Sequence, residues 1–146
     1  MCWLTKQKKE FYESTKPVSQ RVISIGGLLE ILKGKFPADT QFYMSDSTYL
    51  LADYDDIALF LAQDQTNKID YVAEDFDCDN FSYRLMGQFS VPEWSKLAFG
   101  IVWSNLHALN CVIDETGKFW YVEPQTDEIL EELKDWMGTK IRFIIM

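Results

Sequence analysis

The chain has 146 residues, 47% of them hydrophobic and 25% charged, which suits one globular domain spanning 1–146 around a single core. A formal charge of −9 and a pI near 4.5 leave no basic stripe for a phosphate backbone, so nucleic acid is not an expected partner. The short basic run Lys6, Lys8, Lys9 reads as a solvated helix face. No apolar run approaches the ~20 residues of a bilayer span, so no membrane partner is expected. The opening MCWLTKQKKEF lacks the apolar stretch of a secretory signal, which points to a cytoplasmic protein. Three cysteines (Cys2, Cys78 and Cys111), odd in number and widely spaced, suit reduced thiols better than a disulfide framework. The lack of a CxxC pair argues against structural zinc.

In chain order, Ser24 to Phe36 reads as a helix with Leu28, Leu29, Ile31 and Leu32 mostly on one side. Gln41 to Met44 and Thr48 to Ala52 read as short strands around the turn residues Ser45, Asp46 and Ser47. Asp53 to Ala62 is a helix with acids in its first turn, where they complement the dipole. Asp79 to Gln88 is another, with Phe81 and Leu85 on one face. After Pro92 the pattern turns to strands: Ala98 to Trp103, His107 to Ile113, Lys118 to Glu123 and Ile141 to Ile145 are rich in β-branched and aromatic residues. Asp114-Glu115-Thr116-Gly117 makes a hairpin connection, and Ile129 to Trp136 reads as a short helix. Helices first and antiparallel strands later indicate α+β.

His107 is the sole histidine, so imidazole chemistry has one candidate. If Glu115-Thr116-Gly117 forms a three-residue loop with a glycine bulge, Asp114 pairs with Lys118 and His107 falls opposite Gln125. Glu123 then lies on the diagonal on the same face, within side-chain reach. A carboxylate there can hold the ring and its tautomer. The plainer reading is a half-buried histidine with a structural partner. Cys111 is too far along the strand, roughly 13 Å, to exchange a proton with His107. Cys2 lies near a terminus, where order is least expected. Cys78 precedes a helix, where the dipole and free N–H groups favour a thiolate. Against that stand Asp70, Glu74, Asp75, Asp77 and Asp79, whose negative charge opposes one unless a cation sits among them. Asp75 to Asn80 superficially resembles the start of an EF-hand loop but has Asn80 where that loop needs glycine and Met86 where it needs glutamate. A small buried cysteine beside a solvated acidic loop is the plainer alternative.

Three separated blocks carry a resemblance: Tyr71 to Phe81, His107-Ala108-Leu109-Asn110, and Glu123-Pro124-Gln125-Thr126. Together they resemble the calcium-dependent, papain-like cysteine protease domain of the Marasmius oreades agglutinin family. The resemblance implies an α+β papain-like fold, an N-terminal helical part packed on a C-terminal antiparallel sheet. It implies a triad of Cys78, His107 and Glu123, with Gln125 and Tyr71 flanking the oxyanion and substrate. It also implies calcium held by Asp77, Asp79 and Asn80, and a peptide or protein substrate. The family joins this domain to a carbohydrate-binding one for which 146 residues leave no room, so sugar binding is not carried over.

The reading that follows is a calcium-dependent cysteine peptidase. His107 takes the Cys78 proton, and the thiolate attacks a peptide carbonyl. Two alternatives stand beside it: an acyl-transferring, transglutaminase-like enzyme, and a non-catalytic acidic binding module. Trp94, Trp103 and Trp120 are candidates for lining a pocket, although core packing suits most of them better.

Overall fold

A computed structural model of the chain describes residues 16–18 and 20–146; the readings placed on Cys2 and on Lys6, Lys8 and Lys9 lie outside them. Strand β1 (Gln20–Ser24) pairs antiparallel with β3 (Thr48–Ala52) in a two-stranded ribbon. Ser24 ends β1 and caps helix α1 (Ile25–Lys35), its hydroxyl oxygen accepting the Gly27 N–H at 3.1 Å. Helix α2 (Tyr54–Gln63) is capped in the same way by Asp53, which accepts from Asp55 at 2.7 Å. Helix α3 (Cys78–Phe89) follows a short 3-10 turn at Thr66–Lys68.

The larger sheet has six strands. These are β2 (Gln41–Tyr43), β4 (Phe99–Ser104), β5 (Ala108–Ile113), β6 (Phe119–Glu123), β7 (Glu128–Leu130) and β8 (Ile141–Ile145), ordered β2-β8-β4-β5-β6-β7. All six residues of β5 are buried, because helices cover both faces of the sheet. On one face Leu109, Cys111, Ile113 and Tyr121 pack with Leu28, Leu32 and Phe36 around α1. On the other, Val112, Val122 and Phe99 meet Ile57, Phe60 and Leu61 of α2 and Leu85 and Phe89 of α3. Each such side chain removed from water contributes about 1.5–3 kcal/mol before entropy is counted. Gly100 is required where β4 meets β8, since a Cβ there would overlap the Ile145 carbonyl oxygen.

The hairpin register follows the sequence count. Asp114 and Lys118 pair, Ile113 faces Phe119, and Gly117 takes φ +85°. Asp114 fixes this turn. Its Oδ1 accepts from the Thr116 N–H (2.8 Å), the Thr116 hydroxyl (2.6 Å) and the Lys118 N–H (3.1 Å), and its Oδ2 accepts from the Trp120 indole (2.7 Å). Burial works against the charge, but those hydrogen bonds hold the Asp114 carboxyl below its ordinary value.

Two expectations change. The α+β papain-like arrangement, helices first and antiparallel sheet later, is not what forms. Eight strands lie in two sheets among the described residues, β1 to β3 come from the N-terminal half, and β2 joins the large sheet parallel to β8. Runs such as Gln41–Tyr43 are short but supply a partner for an edge that would otherwise stay open. The strands at Gln41–Tyr43 and Thr48–Ala52 do not pair with each other; each belongs to a different sheet. Ile129 to Trp136 is not a helix. Its start lies in β7, which pairs with β6, and Asp135–Met137 forms a 3-10 turn. The helical spacing of Ile129, Leu133 and Trp136 loses to the unpaired edge of β6, and Lys134 reinforces the strand by reaching Glu128 at 2.7 Å.

Candidate binding site

The start of α3 and the β4–β5 turn face one another across an open cleft of about 330 Å³. Asp77, Cys78 and Asp79 form one wall, and Trp103 to Ala108 with Arg142 form the other. A second cleft of about 350 Å³ lies among Tyr49, Phe89, Trp94 and Met146, away from the candidate residues. The first is taken as the site because it gathers a thiol, an imidazole, two carboxylates and a guanidinium.

His107 is held from behind. Its Nε2 lies 2.7 Å from Glu123 Oε2, and Glu123, 1% exposed, accepts the Gln125 N–H on its other oxygen at 3.1 Å. The backbone at His107 is fixed by Ser104, whose hydroxyl oxygen accepts the Leu106 and His107 N–H groups at 3.0 and 2.9 Å and donates to the Met137 carbonyl at 2.5 Å. Asn105 Oδ1 accepts from Thr139 and Lys140 at 3.0 and 3.1 Å. Gly138, at φ +98°, is needed there because a Cβ would press on Ser104 and Asn105. The 3-10 turn thereby brings Trp136 edge-on to the His107 ring, 4.8 Å between centroids.

Cys78 is half-buried at the first position of α3. Asn80, in the same turn, accepts the Asp77 N–H at 3.3 Å, and Asp79 accepts the Asn80 N–H at 3.0 Å. A hydrogen bond with the Asp77 carboxyl, then burial, pushes Asp79 above the usual carboxylate range. The site therefore brings together Asp77, Cys78, Asp79 and His107, with Glu123 directly behind. Tyr71, 55% exposed, and Gln125 do not line the cleft. Cys111 is fully buried in the sheet, and burial pushes its thiol far up.

Sequence reasoning missed Ser104, Asn105, Trp136 and Arg142. The Ser104-Asn105 pair just before His107 is a turn signal that could have marked the fixed backbone. It also assigned no surface to Trp103 as part of a row. Trp103 stacks on Phe143 (4.7 Å) and approaches Tyr83 (5.9 Å), while Phe143 meets Tyr43 (6.2 Å) and carries the Arg142 guanidinium 5.6 Å from its centroid. Tyr43 and Tyr83 are each about half exposed, so this row continues the cleft onto the surface.

No protein-family model and no curated protein matches the chain. Among solved structures, a PSL1a–E64 complex matches with a TM-score of 0.74 at 19% identity, over 86% of this chain and 50% of that one. A crystal structure of Polyporus squamosus lectin bound to the human-type influenza-binding epitope Neu5Acα2-6Galβ1-4GlcNAc matches with a TM-score of 0.65, also at 19% identity, over 87% of this chain and 49% of that one. The likeness concerns the fold, and this chain spans about half the length of the structures it matches.

These matches correct the assignment made from the sequence blocks. One of these fold neighbours is a lectin with a glycan bound. Membership of the agglutinin-family proteases, the papain-like fold label, the cysteine peptidase activity and the peptide substrate are all withdrawn, and the transglutaminase-like alternative goes with them. Among the described residues no helix is long and apolar enough to cross a membrane.

Proposed function

We propose that the chain is a non-catalytic binding module whose cleft between α3 and the β4–β5 turn takes a glycan. The observation that supports this reading is the continuous row Tyr43, Phe143, Trp103 and Tyr83 leading into a cleft edged by Arg142, Asp77 and Asp79. A sugar ring offers an apolar C–H face, which suits an aromatic platform, and hydroxyl groups, which suit carboxylate and imidazole partners. An acidic sugar adds a carboxylate, which a guanidinium can receive through two parallel hydrogen bonds. In this reading the His107–Glu123 pair positions the ring that closes the cleft, and Cys78 is a wall residue.

Calcium at Asp77, Asp79 and Asn80 is carried as part of the proposal. The convergence of the Asp77 and Asp79 carboxyls supports it, since a divalent cation relieves the repulsion of two carboxylates. Asn80 fits less well, because its side-chain oxygen already accepts the Asp77 N–H. Such an ion would draw both carboxylates together at the cleft wall, and its removal by a chelator should then weaken glycan binding.

Calorimetric titration with Neu5Acα2-6Galβ1-4GlcNAc and with its desialylated disaccharide tests the reading. Saturable binding is expected, reduced at least about tenfold in Trp103→Ala, since losing one stacked aromatic removes ~1 kcal/mol or more. A preference for the sialylated ligand should vanish in Arg142→Ala. Absence of binding to any glycan would overturn the proposal. So would protein hydrolysis that disappears in Cys78→Ala.

A further inference from the structure

The contact between α3 and the large sheet is largely apolar, with Leu85 and Phe89 of the helix in one cluster with Val112 and Phe99 of the sheet. Asn110 of β5 breaks that pattern. It is fully buried, and its Nδ2 donates to the Ser82 carbonyl of α3 at 3.0 Å and to the Gly100 carbonyl of β4 at 3.1 Å. Ser82, also fully buried, continues the chain of bonds, its hydroxyl donating to the Cys78 carbonyl at 2.8 Å. These bonds join β4, β5 and α3, and the last link ends at the first residue of the helix. The remaining polar atom of the amide, Asn110 Oδ1, is buried and has no hydrogen-bond partner.

Such a chain is a poor way to gain stability. Ser82 lies inside α3, where its carbonyl already belongs to the helix ladder, so Asn110 adds a second donor to an acceptor that is met. The Asn110 amide gives up its water, and its oxygen recovers nothing in return. A serine hydroxyl turned back onto the carbonyl four residues earlier slightly weakens and bends a helix. What the bonds do supply is position. Apolar contact is non-directional and tolerates sliding, whereas a hydrogen bond holds donor and acceptor in line at about 2.9 Å. The bonds also lie next to the cleft. Ser82 is one helical turn, about 6 Å, beyond Cys78, and Asn110 is two residues, about 6.8 Å, from Ala108 on the same face of β5. Cys78 and Ala108 both line the cleft, on opposite walls.

We propose that Asn110 is a positioning residue for the cleft. With Ser82 it fixes the start of α3, which carries Cys78 and Asp79, against β4 and β5, whose ends carry Trp103 and Ala108. Being fully buried, Asn110 acts through the two walls and not by contact with a ligand. A site that holds its ligand through several directed contacts needs its groups placed to within about 0.5 Å, which the tether secures and apolar packing alone does not. The effect on ligand binding rests on the reading of the cleft as a glycan site; the placement of the helix start does not.

The test is Asn110→Leu in the whole chain, read by thermal unfolding, by calorimetric titration with Neu5Acα2-6Galβ1-4GlcNAc and by amide hydrogen exchange. Leucine keeps the branched skeleton of asparagine without its donors. The unfolding temperature is expected within about 5 °C of wild type, or higher. Glycan affinity should nonetheless fall at least about fivefold, and exchange at the Phe81 and Ser82 N–H groups should quicken by a similar factor, the scale of one lost hydrogen bond. Unchanged affinity, or unchanged exchange in that first turn, would overturn the proposal. So would a large drop in unfolding temperature alongside the affinity, which marks a merely structural residue. If Asn110→Leu does not fold, Ser82→Ala decides by the same readings, since alanine is the strongest helix former and removes the link to Cys78. If the wild type binds no glycan, the reading of the cleft fails and exchange alone decides. Quickening confined to the start of α3 then keeps the positioning role, and exchange as slow as in the wild type ends it.

Discussion

Glu123 ends β6 and Asp127 lies in the β6–β7 turn four residues on, yet their surroundings differ in kind. Glu123 is closed off, with His107 on one oxygen and the Gln125 N–H on the other. Asp114, at the far end of the same hairpin, is more completely met, with four donors on two oxygens. Asp127 has a buried oxygen without a hydrogen-bond partner, and burial, then the Asp64 charge, pushes its carboxyl up to about 6. One fold thus treats some buried carboxylates as finished parts of its own network and leaves others open. A satisfied carboxylate specifies local geometry, while an unsatisfied one asks for something the polypeptide does not supply.

That contrast can be broken most severely at Glu123. Glu123→Ala leaves the His107 ring and the Gln125 N–H without their buried acceptor, and a loss of about 3 kcal/mol in unfolding free energy is expected from denaturant titration. Asp114→Ala should lose about 2 kcal/mol, less because the turn can admit water to some of the freed donors. Amide exchange at Thr116 and Lys118 should accelerate with it, since both N–H groups donate to Asp114. Asp127→Asn should behave differently. It removes the repulsion with Asp64, so stability should stay within about 1 kcal/mol of wild type or rise. A large loss would place Asp127 with the satisfied carboxylates and dissolve the comparison.

How much of this was legible in the sequence depends on locality. The His107–Glu123 contact could be counted outward from Gly117, because a hairpin turn fixes register and register fixes faces. The helix starts at Ser24 and Asp53 carried recognisable capping residues. Other features depended on contacts between distant segments. The parallel β2–β8 pairing decides the sheet and has no local signature. Trp136 reaches His107 only because Ile129 to Met137 is strand and 3-10 turn rather than helix. Arg142 sits in β8, an inner strand whose pattern says nothing of a cleft. Asp64 and Asp127 read individually as ordinary turn residues; only folding places their charges together. The three blocks around Cys78, His107 and Glu123 do converge in space, but residue order alone did not carry the activity attached to it.

The central claim, that the cleft binds without catalysing, is tested most directly by the rate at which iodoacetamide alkylates Cys78 at neutral pH. The rate is measured with calcium and with chelator, and Cys78→Ala subtracts labelling at Cys2 and Cys111. The account expects labelling no faster than that of a free thiol in both conditions. Labelling far faster than a free thiol, gained with calcium and lost with chelator, would identify an activated nucleophile at Cys78 and contradict it.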